Sequence, residues 1–254
     1  MKWGFFTPIH IATLFAAAAM NLGLYFFLKH KSAKVQTLVL LPFSLLGVGA
    51  VIFNLLEWGS PLEYLPLHLC SINAILLPIV LLTRSKALGN LLLVWCLGAL
   101  MALVVNFEMK DADLLGESFF WYYFPHVFEF GLPLIFIKLG LVKMEAKYIP
   151  TTLALTMLIY TGVHLCNVAI NNYCRLYEVV NASGALIQVN YMFSIRPANP
   201  LLVLFYKLVP YRYWYMYLVL PIVASYLAII YAPQLTAAHR RKASFARIHK
   251  RIAH

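Results

Sequence analysis

Charge is what this chain has least of. Only 11% of its 254 residues are charged and nine are acidic, whereas about a quarter of an ordinary soluble domain is charged, so a conventional water-exposed surface is excluded. Paired metal-ligand spacings are missing too. The four cysteines, Cys70, Cys96, Cys166 and Cys174, contain no CxxC, and no HxxxH or HExxH places two histidines on one helical face. A structural zinc ribbon, a disulfide framework and a metalloprotease helix are therefore not indicated. The apolar runs do not alternate residue by residue, which excludes a membrane barrel. Met1 to Leu28 lacks a small-residue cleavage pattern and is apolar for long enough to span, so the expectation is a retained first helix rather than a cleaved signal.

What remains is hydrophobic bulk. At 63% hydrophobic residues and a mean hydropathy of +0.79, the chain reads as an integral membrane protein. Every backbone group in a bilayer must be bonded internally, which makes the fold class all-α: a polytopic transmembrane bundle of seven helices in one domain, residues 1–254. The expected spans are 8–28, 36–56, 63–83, 88–107, 119–142, 151–170 and 213–231. Residues 171–212 are read as a long extracytoplasmic loop with a re-entrant or interfacial piece at 201–209. The tail, 239–254, is read as a basic cytoplasmic anchor of topology. The net charge of +11 then reflects basic residues gathered on one membrane side, and nucleic acid is not an expected partner. With the amino terminus outside and the carboxyl terminus cytoplasmic, 14 of the 20 lysines and arginines fall inside.

Four polar residues interrupt the third span: His68, Cys70, Ser71 and Asn73. Such groups are expensive in hydrocarbon and are kept where they have partners. Counted from their expected starts, Cys70 and His126 lie seven residues into spans running the same way, at a common depth of roughly 10 Å. Cys70 shares a helical face with Asn73, and His126 shares one with Glu129. A thiol needs a base to become a nucleophile, an imidazole supplies one, and a carboxylate can orient the imidazole. His164 and Asn167 bring further polarity from the sixth span, as Asn54 and Glu57 do from the second. Blander readings stand beside these: a lone membrane cysteine is usually a small hydrophobe, His126 and Glu129 can be a packing pair, and His10 and His164 can be structural. Cys96 and Cys166 read as packing residues. Whether Cys166 and Cys174 pair is open.

Three local sequences, LPLHLCSINAILLPIVLLTR from Leu65, FPHVFEFGLPL from Phe124 and NYMFSIRPANPLLVLFYKLVPYRYWYMYLVL from Asn190, resemble the YwaF-like family of bacterial integral membrane proteins. Its vertebrate relatives include a cysteine-centred ether-phospholipid acyltransferase. The resemblance implies a multi-pass protein of the bacterial inner membrane and a catalytic pair at Cys70 and His126. On that reading no cofactor is used and the partners are a phospholipid donor and a lysophospholipid acceptor. His68 or Asn73 would then bind the oxyanion, Glu129 and His164 would support the pair, and Asn190 and Arg196 would face the headgroup with Lys207 and Arg212. Two alternatives come from other classes: a zinc-dependent lipid hydrolase using His68, His126, His164 and Glu57 or Glu129, or a non-catalytic lipid carrier. Orientation is directly checkable. A fluorescent protein fused after His254 is expected to glow in the cytoplasm and alkaline phosphatase fused there to stay inactive; an active phosphatase would reverse the topology.

Overall fold

The computed structural model describes residues 1–57, 60–106, 109–198 and 200–252, and the side chains up to 236. Among these residues there are eight α-helices and no strand beyond isolated bridges: α1 (Pro8–Leu28), α2 (Ala33–Glu57), α3 (Leu69–Thr83), α4 (Lys86–Val104), α5 (Glu117–Lys138), α6 (Ile149–Leu176), α7 (Pro200–Leu208) and α8 (Leu220–Ile252). Five helical stretches are long and apolar enough to cross a membrane: α1, α2, α4, Ala146–Leu176 and Trp214–Thr236. The chain is therefore a multi-pass helical membrane protein.

Three helices are missing from that set, α3, α5 and the short α7, and the first two are the informative ones. α3 has 15 residues, about 22 Å at 1.5 Å per residue, and α5 carries Ser118, His126 and Glu129 along its length. Neither is an outer wall. α5 packs on α1, α2, α3 and α4, and α3 on α2, α4 and α5. A helix wrapped by other helices is excused from the apolarity that lipid demands, and this interior position is what lets α3 and α5 carry polar groups.

Several boundaries differ from expectation for local reasons. The third helix starts at Leu69 instead of residue 63: Pro61–Glu63 forms only a single 3-10 turn, and Pro66 keeps the residue before it, Leu65, out of the α region. His68 is its extended N-cap, at φ −73° and ψ 152°, so it does not lie on a helical face with Ser71. The sixth helix runs on to Leu176, taking in the first residues of the expected loop. The loop then turns back through a Val180–Leu186 bridge, and the run near 201–209 forms α7, seating Leu202 and Phe205 against Tyr215. The last helix continues without a break to Ile252; the side chains of the basic tail lie outside the described residues.

Each end of the bundle is tied by polar contacts. At one, the Asn90 amide donates to the Lys86 and Lys143 carbonyls and accepts from Glu145 N and the Tyr231 hydroxyl, while Gln234 bridges Met144 and Ala146. Beside them Lys147 and Lys86 hold the Glu145 carboxyl down to about 2. At the other end the amino-terminal strap is drawn inward. Trp3 N and Gly4 N donate to the Ala112 and Lys110 carbonyls, and Lys2 beside Asp113 keeps that carboxyl below its usual value. Trp3 is 0% exposed, packs edge-on against His10, Phe119, Tyr122 and Tyr123, and donates to Thr13 Oγ1 at 2.9 Å. His10 is structural: its Nδ1 accepts from Phe6 N and its Nε2 donates to the Leu103 carbonyl. Trp3→Ala is expected to cost about 3–5 kcal/mol and Trp3→Phe much less, read from thermal unfolding in detergent; equal losses would remove the strap from the stability of this end.

Candidate functional site

Cys70 is the second residue of α3 and His126 the tenth of α5. They meet because α3 begins inside the bundle, and not because the two helices start level, as the sequence-based depth count assumed. One ligating atom each of Cys70, His126 and Glu129 lies within 4.8 Å of the other two. The three line a cavity of about 310 Å³ between α2, α3 and α5, walled by Gly47, Ala50 and Asn54 on α2 and by Ser71, Trp121 and Tyr122 nearby. Tyr64 and Met109, from the connections before α3 and α5, complete its lining.

The imidazole is held by the backbone. His126 Nδ1 lies 2.6 Å from the Tyr122 carbonyl oxygen one turn earlier. A carbonyl only accepts, so Nδ1 carries a hydrogen, and Nε2 is the nitrogen left to take a proton or bind an ion. The Tyr122 ring lies over the imidazole at 4.4 Å, and its hydroxyl donates to the Ala102 carbonyl, anchoring that turn to α4. Orientation of His126 thus comes from Tyr122 rather than from Glu129.

Glu129 is 3% exposed and sits where α2, α3 and α5 converge. Its Oε2 has no hydrogen-bond partner, and the neighbouring polar side chain is Asn73 on α3. Leaving such an atom unanswered typically costs about 1–3 kcal/mol, so this corner is a place of deliberate expense. The helices can close around it because position 47 is glycine. A Cβ there would lie 2.6 Å from Ala74 Cβ and 3.2 Å from Glu129 Oε1.

The other expected residues lie elsewhere. Asn73 is buried behind Glu129 and does not line the cavity. His68 packs on Tyr191 and Phe193, at 5.2 and 5.7 Å. His164 belongs to a second polar group: its Nδ1 is 2.9 Å from Ser194 Oγ, and Asn167 donates to that oxygen and to the Tyr191 carbonyl. This group clamps residues 190–196 onto α6, with Met192 and Phe193 at φ 50° and 56°. Asn190 staples the same turn, donating to the Arg196 carbonyl and accepting from Ile195 N and Arg196 N. Arg196 is exposed. The zinc set of His68, His126, His164 and Glu57 or Glu129 does not assemble among the described residues; the cluster that forms substitutes Cys70 for the distant histidines. No disulfide joins the four cysteines, and Cys166 and Cys174, eight residues apart on α6, are about 12 Å apart along the axis, too far to bridge. Cys96 donates to the Leu93 carbonyl in the core. Unread in the sequence were the Tyr122 carbonyl, the Gly47 contact and Met109; only the one-turn spacing of Tyr122 and His126 hinted at any of them.

An all-helical, multi-pass membrane protein with a thiol, an imidazole and a carboxyl gathered in one interior cavity is the class that fold and site define. The chain belongs to the TMEM164 family, whose family model matches residues 5–231. No curated protein and no solved structure matches it.

Gly47→Val is expected to push α2 away from α3, costing about 1–3 kcal/mol as overpacked core substitutions do, and to slow alkylation of Cys70 by a maleimide. Unchanged stability and unchanged Cys70 labelling in detergent would show that the close approach at position 47 does not shape the cavity.

Proposed function

We propose that the protein is a membrane-embedded acyltransferase that moves an acyl chain from a phospholipid to a lysophospholipid through a thioester on Cys70. The observation that carries this reading is the meeting of Cys70, His126 and Glu129 within 4.8 Å in a lined cavity. In the first step His126 Nε2 takes the thiol proton and the sulfur attacks the ester carbonyl carbon. The tetrahedral intermediate expels the lysolipid alkoxide, which takes the proton back from the imidazolium, leaving the acyl thioester. A second lysolipid hydroxyl, deprotonated by the same nitrogen, attacks the thioester and releases the thiolate, which recovers its proton.

Glu129, one turn beyond His126, steadies the imidazolium formed in each step. Cys70 occupies the first turn of α3, where the positive end of the helix favours a sulfur anion and main-chain N–H groups point toward an oxyanion beside it. These amides and Ser71 replace Asn73 and His68 as proposed oxyanion donors, since neither of the latter lines the cavity. Arg196, Lys207 and Arg212 offer donors to a headgroup phosphate from the segment before α8. The proposed topology has seven spans, α1 to α6 and α8, in a bacterial inner membrane with the amino terminus outside and α7 at the interface; the YwaF-like resemblance and the basic-residue distribution support it.

Purified protein, given a phospholipid with a labelled acyl chain and a lysolipid acceptor, is expected to transfer the label and to carry part of it on Cys70 in a hydroxylamine-sensitive bond. Cys70→Ser should abolish both signals, and His126→Ala should slow transfer by about 10²–10⁴-fold. Full transfer by Cys70→Ser would overturn the mechanism.

A further inference from the structure

We propose that Cys70, His126 and Glu129 together form a binding site for one zinc ion, which occupies the cavity in competition with acyl chemistry at Cys70. The three donor atoms come from two helices and lie within 4.8 Å of one another. Ligands around a tetrahedral zinc, bonded at about 2.0–2.3 Å, stand nearly 4 Å apart, so modest side-chain rotation closes the set. The donor types also fit: a thiolate, an imidazole nitrogen and a carboxylate oxygen are zinc's usual ligands, and a fourth position is left toward the cavity.

Two further observations point to a ligand here. Glu129 is 3% exposed and its Oε2 has no hydrogen-bond partner, although it lines the cavity. A buried carboxyl oxygen left without a partner is what a cation would satisfy. His126 Nδ1 donates to the Tyr122 carbonyl at 2.6 Å, the outer hydrogen bond that fixes a zinc-binding imidazole with its Nε2 lone pair facing the metal. Nδ1 is thereby removed from competition, and the ring cannot turn without breaking that bond.

Binding displaces the Cys70 thiol proton to solvent, and the sulfur becomes a metal ligand. The same sulfur cannot then attack an ester. Zinc and a thioester are mutually exclusive occupants, and zinc acts as a reversible inhibitor of whatever chemistry Cys70 performs. The metal site rests on the donor geometry, the unanswered Glu129 oxygen and the His126 hydrogen bond; only its competition with acyl chemistry rests on the acyltransferase reading.

The test uses the full-length protein in detergent, stripped with a chelator and titrated with cobalt(II) as a spectroscopic substitute for zinc. One cobalt per chain is expected, with a thiolate-to-metal charge-transfer band in the near ultraviolet and intense visible bands of a tetrahedral site, all bleached by zinc. Cys70→Ser should remove the charge-transfer band, while His126→Ala and Glu129→Gln should weaken cobalt binding at least tenfold. In the unmodified protein, zinc should slow alkylation of Cys70 tenfold or more and leave the exposed Cys166 unaffected, a readout that needs no variant to fold. Absence of Cys70 protection, or a cobalt band indifferent to His126 and Glu129, overturns the site. Metal binding without any acyl transfer would instead count against the acyltransferase alone.

Discussion

A carboxyl group with an unanswered oxygen lies where three helices meet, and the surrounding bundle is arranged around that cost. Glu129 brings to the interior a group that lipid would not tolerate. The protein responds by enclosing it: α5 is wrapped by α1, α2, α3 and α4, and glycine at position 47 lets α2 come close enough to seal the corner. Natural proteins keep such expense where it serves something. Here it adjoins a thiol and an imidazole.

That enclosure explains the division of labour among the helices. α1, α2, α4, α6 and the beginning of α8 have the length and apolarity of membrane walls. α3 is short and α5 is polar because both are interior, and their shortcomings as spans are what make a chamber. A helix that starts late, after Pro61 and Pro66, leaves room above it and presents its first turn to the cavity. The amino-terminal strap continues the same logic at that end of the bundle: Trp3 fills the space beside Tyr122, the residue whose carbonyl holds His126, and the strap pairs with the connection that supplies Met109 to the lining.

The polar residues of this chain divide into two groups with different characters. Around Ser194, every expected partner is present: His164, Asn167 and the Tyr191 backbone bond one another and pin a strained turn to α6. Around Glu129, partners are missing. A satisfied network rigidifies, whereas an unsatisfied one next to titratable groups is where a substrate or an ion gains most by binding. This contrast sets His164 and Asn167 apart from Cys70, His126 and Glu129, although all five looked alike as intramembrane polar residues.

Periodicity and composition alone determined that the chain is a helical membrane protein, because apolar run length answers to bilayer thickness and nothing else in a cell requires it. They also placed His126 with Glu129, since residues three apart on a helix share a face whatever surrounds them. Only the tertiary structure decided where α3 begins, that His68 and His164 turn to another cluster, and that a backbone carbonyl rather than a carboxylate sets the histidine. Those outcomes depend on contacts between segments far apart in the chain and on main-chain atoms that every residue possesses, and neither leaves a mark in the identity of the residues themselves.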